Sequence, residues 1–211
     1  MPKPLTSTSR ALLGLLALRP WTTYELAKQM ERSLHHFWPR AESELYKEAK
    51  NLVAHGLARS RTEHRGRRPR TVYAITPKGR RDLEKWLAEP GSGPTVEFEA
   101  LVKVFFADQA TKQDLLVQLR AVQSRAADGL VWRAGVIREY PETGGPFPER
   151  LHIIALVTQF LTDQGKMILQ WARWAESEVL SWPDTRHAEV DPEVFRRMIK
   201  EGKDSPHVGG N

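Results

Sequence analysis

No cysteine occurs among the 211 residues, which excludes a disulfide framework and a thiolate metal site together. The 14 glycines never take the spacing of a dinucleotide fingerprint or a phosphate loop, and no serine sits in a nucleophile elbow. Long apolar runs are missing too: Ala11–Leu18 falls far short of the ~20 residues a membrane span needs. The opening MPKPLTSTSR lacks the basic-then-apolar order of a signal peptide, so a soluble cytoplasmic protein with no membrane association is expected. Glu149 and His152 have the Glu-x-x-His spacing of di-iron bundles, but the second such pair that those sites require is absent. His35 and His36 are adjacent, with no carboxylate at ligand spacing, and read as loop residues. No catalysis, no cofactor and no metal are expected.

What the chain does have is charge, unevenly placed. Residues 1–90 carry 18 lysines and arginines against 9 acids, a net of +9, whereas residues 91–211 carry 14 against 17, a net of −3. A basic half joined to an acidic half points to a nucleic-acid-binding part and a part with another task.

The basic half is organised around Phe37–Gly79. Leu45, Ala49, Leu52 and Val53 fall on one helical stripe, between roughly −20° and 80° when Leu45 is the origin. Ser43, Lys47, Lys50, Asn51 and Ala54 fall opposite, at roughly 140° to 240°. Tyr46, at roughly 100°, lies on the border, where its ring packs and its hydroxyl can reach a phosphate. Pro39 reads as a helix-start residue behind Phe37 and Trp38, which read as core anchors, and Gly56 closes the helix as a C′ residue. Two strand-like runs follow, ARSRTEH and RTVYAIT, with Tyr73 and Ile75 alternating with Val72 and Ala74. Their connection, Arg65-Gly66-Arg67-Arg68-Pro69, belongs to a tip where five of seven residues are basic: His64, Arg65, Arg67, Arg68 and Arg70. Clustered cations repel one another unless phosphates relieve them. A helix followed by a basic hairpin is the reading end of a winged helix-turn-helix, with the helix in the DNA major groove and the wing on the flanking backbone.

Elsewhere in this half, Ser9 reads as the cap of a first helix, Arg10–Arg19, apolar on nearly every side and therefore buried. Thr22 with Glu25 reads as a capping box opening a second helix, about 23–33. Thr76-Pro77 opens a fourth, reaching about Ala88, with Leu83, Trp86 and Leu87 on one side. AEPGSGPT then breaks the pattern.

In order along the chain, Leu15-Leu16-Ala17, Tyr24-Glu25-Leu26, Phe37-Trp38, Leu45-Tyr46, Gly56-Leu57, Arg67-Arg68-Pro69-Arg70 with Tyr73, and Thr76-Pro77-Lys78-Gly79 resemble the PadR family of bacterial transcriptional regulators. The resemblance covers about residues 10–88. It departs at Thr23, where the family usually has Gly, and at Ala49, where it usually has a larger apolar residue, so thinner packing is expected behind the recognition helix. It implies a DNA contact for Tyr46, dimerisation through helices after the winged domain, and a repressor's role.

The acidic half reads as all helix. Phe98, Leu101, Val102, Phe105 and Phe106 mark one helix; Thr111 with Asp114 opens a longer one to about Tyr140. A hairpin connection, Pro141–Pro148, leads to another at about 149–182, and Asp191-Pro192 caps a short last helix to Lys200. Long helices with short connections close poorly alone and pack more naturally against a second copy. The fold class is thus mainly α: an N-terminal winged helix-turn-helix with a two-stranded wing (1–90), a linker (91–95), an all-α dimerisation domain (96–201) and a disordered tail (202–211).

The expected partners are double-stranded DNA and a second copy. The DNA-contacting set is Ser43, Tyr46, Lys47, Lys50, Asn51, Arg65, Arg67, Arg68 and Arg70. Asn51 suits bidentate pairing with adenine, and Lys47 or Lys50 suits guanine. Trp132, Trp171, Trp174 and Trp182 lie in the acidic half. They have two readings, the seam of a dimer or, for the first three, a pocket for a small aromatic effector; ligand-responsive PadR members point to the second. An architectural DNA-binding protein without sequence preference and a winged-helix interaction adaptor are the competing functions. The polar, amine-bearing front of the recognition helix counts against the adaptor.

Overall fold

Threonines open three of the four helices of the basic half. In the computed structural model, which describes residues 2–65, 68–189 and 191–204 with the side chains of Arg65 and Arg68 excepted, the chain divides into two units at Thr95/Val96. The first unit begins with α1 (Ser7–Leu18), whose cap is Thr6 rather than Ser9. Ser9 is the N3 residue of the same capping box: Thr6 Oγ1 accepts from the Ser9 N–H at 3.1 Å, and Ser9 Oγ accepts from the Thr6 N–H at 3.0 Å. The serine is fully buried because its hydroxyl also bonds the Glu48 carboxylate of a later helix. α1 is buried, as its composition requires: Leu12, Leu13 and Leu16 have no more than 1% exposure.

Trp21 and Thr22 form a short strand, β1, and α2 (Thr23–Arg32) follows directly. The Thr22–Glu25 capping box is complete. A 3-10 turn at Leu34–His36 leads to α3 (Glu42–Ala54). This helix starts three residues after Pro39, and its N-cap, Ala41, offers no side-chain acceptor. Trp38 does anchor the entry, donating its indole N–H to Thr8 Oγ1 at 3.1 Å beneath the Arg40 guanidinium. Phe37 does not; it terminates the 3-10 turn with 42% of its surface exposed. Leu45, Ala49 and Leu52 form the buried back of α3. Ala49 is 1% exposed, so the smaller side chain leaves no gap that solvent reaches.

The wing is β2 (Ala58–Arg65) and β3 (Arg68–Ile75), antiparallel from Ala58 opposite Ile75 to Arg65 opposite Arg68. The ladder therefore runs through Pro69, where the sequence reads as connection. Proline is tolerated there because β1, the other neighbour of β3, pairs only with Val72 and Tyr73, leaving an open edge at Pro69. The sheet has three strands in the order β1-β3-β2, one more than expected. α4 (Pro77–Leu87) is capped by Thr76 with Pro77 in its first turn. Its Leu83 and Trp86 are half-buried and Leu87 is exposed.

The second unit contains α5 (Glu99–Phe105), α6 (Lys112–Ile137), the one-turn α7 (Tyr140–Thr143), α8 (Leu151–Ser181) and α9 (Pro192–Asp204). α6 and α8 pair antiparallel: Arg120 bonds Glu176 at 2.6 Å, Gln123 bonds the Ala172 carbonyl at 3.3 Å, and Arg133 bonds that of Leu161 at 2.6 Å. Their seam buries Leu115, Leu116, Leu119 and Val179, then Ala100, Val122 and Ala172. α9 continues past Lys200 to Asp204, so residues 202–204 are helical rather than disordered; residues 205–211 lie outside the described residues.

Candidate nucleic-acid interface

α3 divides its residues as a groove-entering helix must. Ser43, Lys47, Lys50 and Ala54 are exposed along one face, opposite the buried Leu45, Ala49 and Leu52. Lys47 and Lys50 present ammonium groups from successive turns, and Ser43 adds a hydroxyl at the N-terminal end. The row combines donors for base edges with positive charge for phosphates.

Tyr46 is half-buried, and its hydroxyl donates to the Glu42 carboxylate one turn earlier. That bond stabilises the protonated phenol and, with burial and the nearby negative charge, raises its pKa. Tyr46 is thus a donor whose partner a phosphate oxygen can replace.

Asn51 is not part of the front row. Its Oδ1 accepts from the Lys3 N–H at 3.0 Å and its Nδ2 donates to the Lys3 carbonyl at 3.1 Å. Both ends of the amide are occupied by one backbone residue of the segment preceding α1. Pairing with adenine would need the same two atoms, which in this structure are engaged by Lys3. At roughly 240° it lies on the flank beside Glu48 at 300° and His55 at 280°, away from the centre of the front.

On the wing, Arg70 is exposed and directly opposite Glu63, whose carboxylate also holds Arg61. The two contacts are 3.1 and 2.6 Å. Arg61 lies outside the basic tip, and the alternation in ARSRTEH is the signal that places Arg59, Arg61 and Glu63 on one face. Glu63 spreads the two guanidinium groups along that face, and exposed pairs of this kind contribute little stability of their own. His64 is exposed. Arg67 lies outside the described residues, as do the side chains of Arg65 and Arg68; their backbones close the ladder.

Beside α3, α2 and the 3-10 turn enclose a cleft of about 430 Å³ whose lining includes Tyr24, Lys28, His35, Arg40 and Glu42. Lys28 and Arg40 add cations near the start of α3.

The three tryptophans considered as an effector pocket do not converge in the second unit. Trp171 packs between both buried clusters of the α6–α8 seam, edge-on to Phe98 with centroids 6.1 Å apart. Trp174 is half-buried on α8. Trp132 is 51% exposed on α6, ten residues beyond Val122, the α6 partner of Trp171, or about 15 Å at the helical rise. A different hollow, of about 330 Å³, is lined by Val102, Phe106, Ala107, Ala110 and Leu115 together with Lys103, Asp114 and Gln118.

Residues 12–85 match the Transcriptional regulator PadR-like family. The negative transcriptional regulator PadR of Bacillus subtilis is 29% identical over 106 residues, 49% of this chain and 58% of that protein. A probable transcriptional regulator of Mycobacterium tuberculosis is 34% identical over 82 residues, 38% of this chain and 43% of that one. The chain therefore matches about half the length of these relatives, which are transcriptional regulators and not enzymes. In overall fold it is similar to crystal structures of Bacillus subtilis PadR in complex with operator DNA (TM-score 0.72, 22% identity, covering 82% of this chain and 99% of that one) and with p-coumaric acid (TM-score 0.66, 22% identity, the same coverage). The Vibrio cholerae virulence activator AphA shares the fold at a TM-score of 0.63 and 20% identity, covering 82% of this chain and 98% of that one.

Proposed function

We propose that this chain, whose residues 12–85 are a PadR-like domain, is a cytoplasmic, homodimeric, sequence-specific DNA-binding repressor. α3 would enter the major groove and the wing would lie on the flanking backbone. The observation that carries the reading is the exposed row Ser43, Lys47 and Lys50 on α3, in a unit whose first 90 residues have a net charge of +9. Arg61 and Arg70 extend the cationic surface on the wing, and the proposal includes Arg65, Arg67 and Arg68 at its tip. Tyr46 would exchange Glu42 for a phosphate. Among the described residues no helix is long and apolar enough to cross a membrane, which is compatible with the cytoplasmic placement.

The test is a binding comparison on two duplexes, one enriched from a random library by the protein and one unselected. Lys47→Ala or Lys50→Ala should cost about 1–3 kcal/mol on the enriched duplex and much less on the other, whereas Arg70→Ala should weaken both alike and lower the salt slope by about one. Equal losses from the α3 variants on both duplexes would favour an architectural protein instead.

A second limb of the proposal is a small planar aromatic effector in the second unit. Its support is the apolar hollow beside Leu115, a member of the cluster against which Trp171 packs. Planar aromatic acids should quench tryptophan fluorescence, with the response lost in Trp171→Phe, and should weaken DNA binding. Quenching without any change in DNA affinity would remove this limb.

A further inference from the structure

We propose that the segment Pro2–Leu5 is a DNA-contacting arm, clipped to the flank of α3 by Asn51 and His55, with Lys3 as its phosphate contact. The inference rests on the DNA-binding reading above and adds to it a contact that lies outside both the helix front and the wing.

Three hydrogen bonds converge on the backbone of Lys3. Asn51 takes its N–H at 3.0 Å and gives to its carbonyl at 3.1 Å, and His55 Nε2 lies 2.7 Å from the same carbonyl. The sequence prepares this arrangement. Pro2 and Pro4 have no N–H, so between them the only backbone donor is that of Lys3, and Asn51 takes it. Lys3 precedes Pro4, which biases it to the extended backbone that an amide side chain can pair with from one side. The segment's far end is also fixed on α3. Thr6 caps α1 through Ser9, and the Ser9 hydroxyl bonds Glu48. Glu48, Asn51 and His55 are spaced by three and four residues, one flank of one helix, so the arm follows α3 along its C-terminal half.

With its backbone held, the Lys3 side chain remains exposed. The flank it lies on adjoins the row of Lys47, Lys50 and Ala54, separated from it by roughly 40° to 100° about the helix axis. An extended strand beside a groove-entering helix faces the sugar-phosphate backbone bordering that groove, and a lysine there acts as a point charge on phosphate. Asn51 is in this account a positioning residue, acting through Lys3.

The experiment uses the full chain and the same two duplexes, with affinity measured over a salt series. Lys3→Ala should weaken both several-fold by equal factors and lower the salt slope by about one. Asn51→Ala should do the same, and the double variant should lose no more than the worse single variant. Two results would overturn the arm. One is a Lys3→Ala protein whose slope and affinities equal those of the parent while Asn51→Ala loses affinity on the enriched duplex alone, which would return Asn51 to base reading. The other is tighter binding after Lys3→Ala, which would make the segment a cover over α3. A parent protein that binds neither duplex fails the DNA-binding reading itself, and the arm with it. Lys3 is exposed, so thermal melts of the two single variants separate lost folding from lost contact.

Discussion

Asn51 is where residue type and residue contacts part. By composition and angle it belongs among base readers, and its amide has the right atoms; in the structure those atoms are engaged by a partner 48 positions earlier in the chain. Periodicity locates a residue on a helix face but carries no information about which distant backbone reaches that face. Phe37 repeats the lesson, since an aromatic next to a buried tryptophan reads as core until the 3-10 turn directs it outward. The capping boxes are the opposite case. Thr22–Glu25 and Thr111–Asp114 were legible because donor and acceptor are three residues apart. At Thr22 the box also has a titration. Glu25 accepts from the Thr22 N–H at 2.8 Å and from its hydroxyl at 2.7 Å. These bonds, the backbone one foremost, with the Arg19 cation beyond them, lower the carboxyl pKa from its ordinary 4.5. A depressed folded pKa contributes stability that is present above the unfolded value and lost as pH falls through the folded one. Glu25→Gln should therefore be less stable than the parent at neutral pH, and the difference should shrink as pH falls below about 4. Thr22→Ala, which removes the hydroxyl as donor to Glu25 as well as the cap, should cost about 0.5–2 kcal/mol at neutral pH and less as Glu25 becomes protonated. Parallel urea midpoints at pH 7 and pH 3 for Glu25→Gln and the parent would contradict the assignment.

At the scale of elements, boundaries set by local chemistry were readable and those set by pairing were not. The strands of the wing were visible as alternation, whereas β1 has two residues and exists only because Tyr73 and Val72 lie beside it. The segment Thr76–Gly79 has a role that its sequence only hints at. Thr76 donates its N–H to the Leu57 carbonyl at 3.0 Å and its hydroxyl to that of Gly56 at 2.8 Å. Lys78 reaches the His55 carbonyl at 2.8 Å. Together they fasten the first turn of α4 to the end of α3, and Gly56, at φ +69°, makes the reversal that exposes those carbonyls. The close approach requires glycine at position 79. A Cβ there would lie 2.1 Å from the Leu57 oxygen and 2.9 Å from Ile75 Cγ1. The first obstacle is backbone and cannot rotate away, so Gly79→Ala should destabilise by at least the roughly 1–3 kcal/mol of ordinary overpacking. Chemical denaturation of the isolated 1–95 unit and of the full chain should report a loss in both; an unchanged midpoint would show that α4 is not seated on this turn.

For the molecule as a whole, the distribution of apolar surface argues for a second copy. The C-terminal part of α8 is satisfied within the unit, where Ala172 and Val179 are buried against α5 and α6. Its N-terminal part is not. Leu156 is 74% and Phe160 56% exposed, and Ile153, Val157 and Met167 are exposed too. Ile153, Leu156, Val157 and Phe160 follow the three- and four-residue spacing of a helix-packing stripe, and α9 adds Phe195, Met198 and Ile199 with no buried residue of its own. Leaving this much apolar area in water forfeits about 25 cal/mol for each Å² that a partner would cover. A homodimer buries the same patch on both copies, which a single self-complementary stripe suits. Two linked winged units would then engage two half-sites, arranged as an inverted repeat about one helical turn apart or a multiple of it. Leu156→Glu places a charge at the most exposed point of the stripe without touching the α6–α8 seam. Sedimentation at micromolar concentration should find the parent dimeric and this variant monomeric, with unchanged helical content and much weaker binding to the enriched duplex. A parent that sediments as a monomer, or a Leu156→Glu protein that remains dimeric, would mean that α8 does not form the interface.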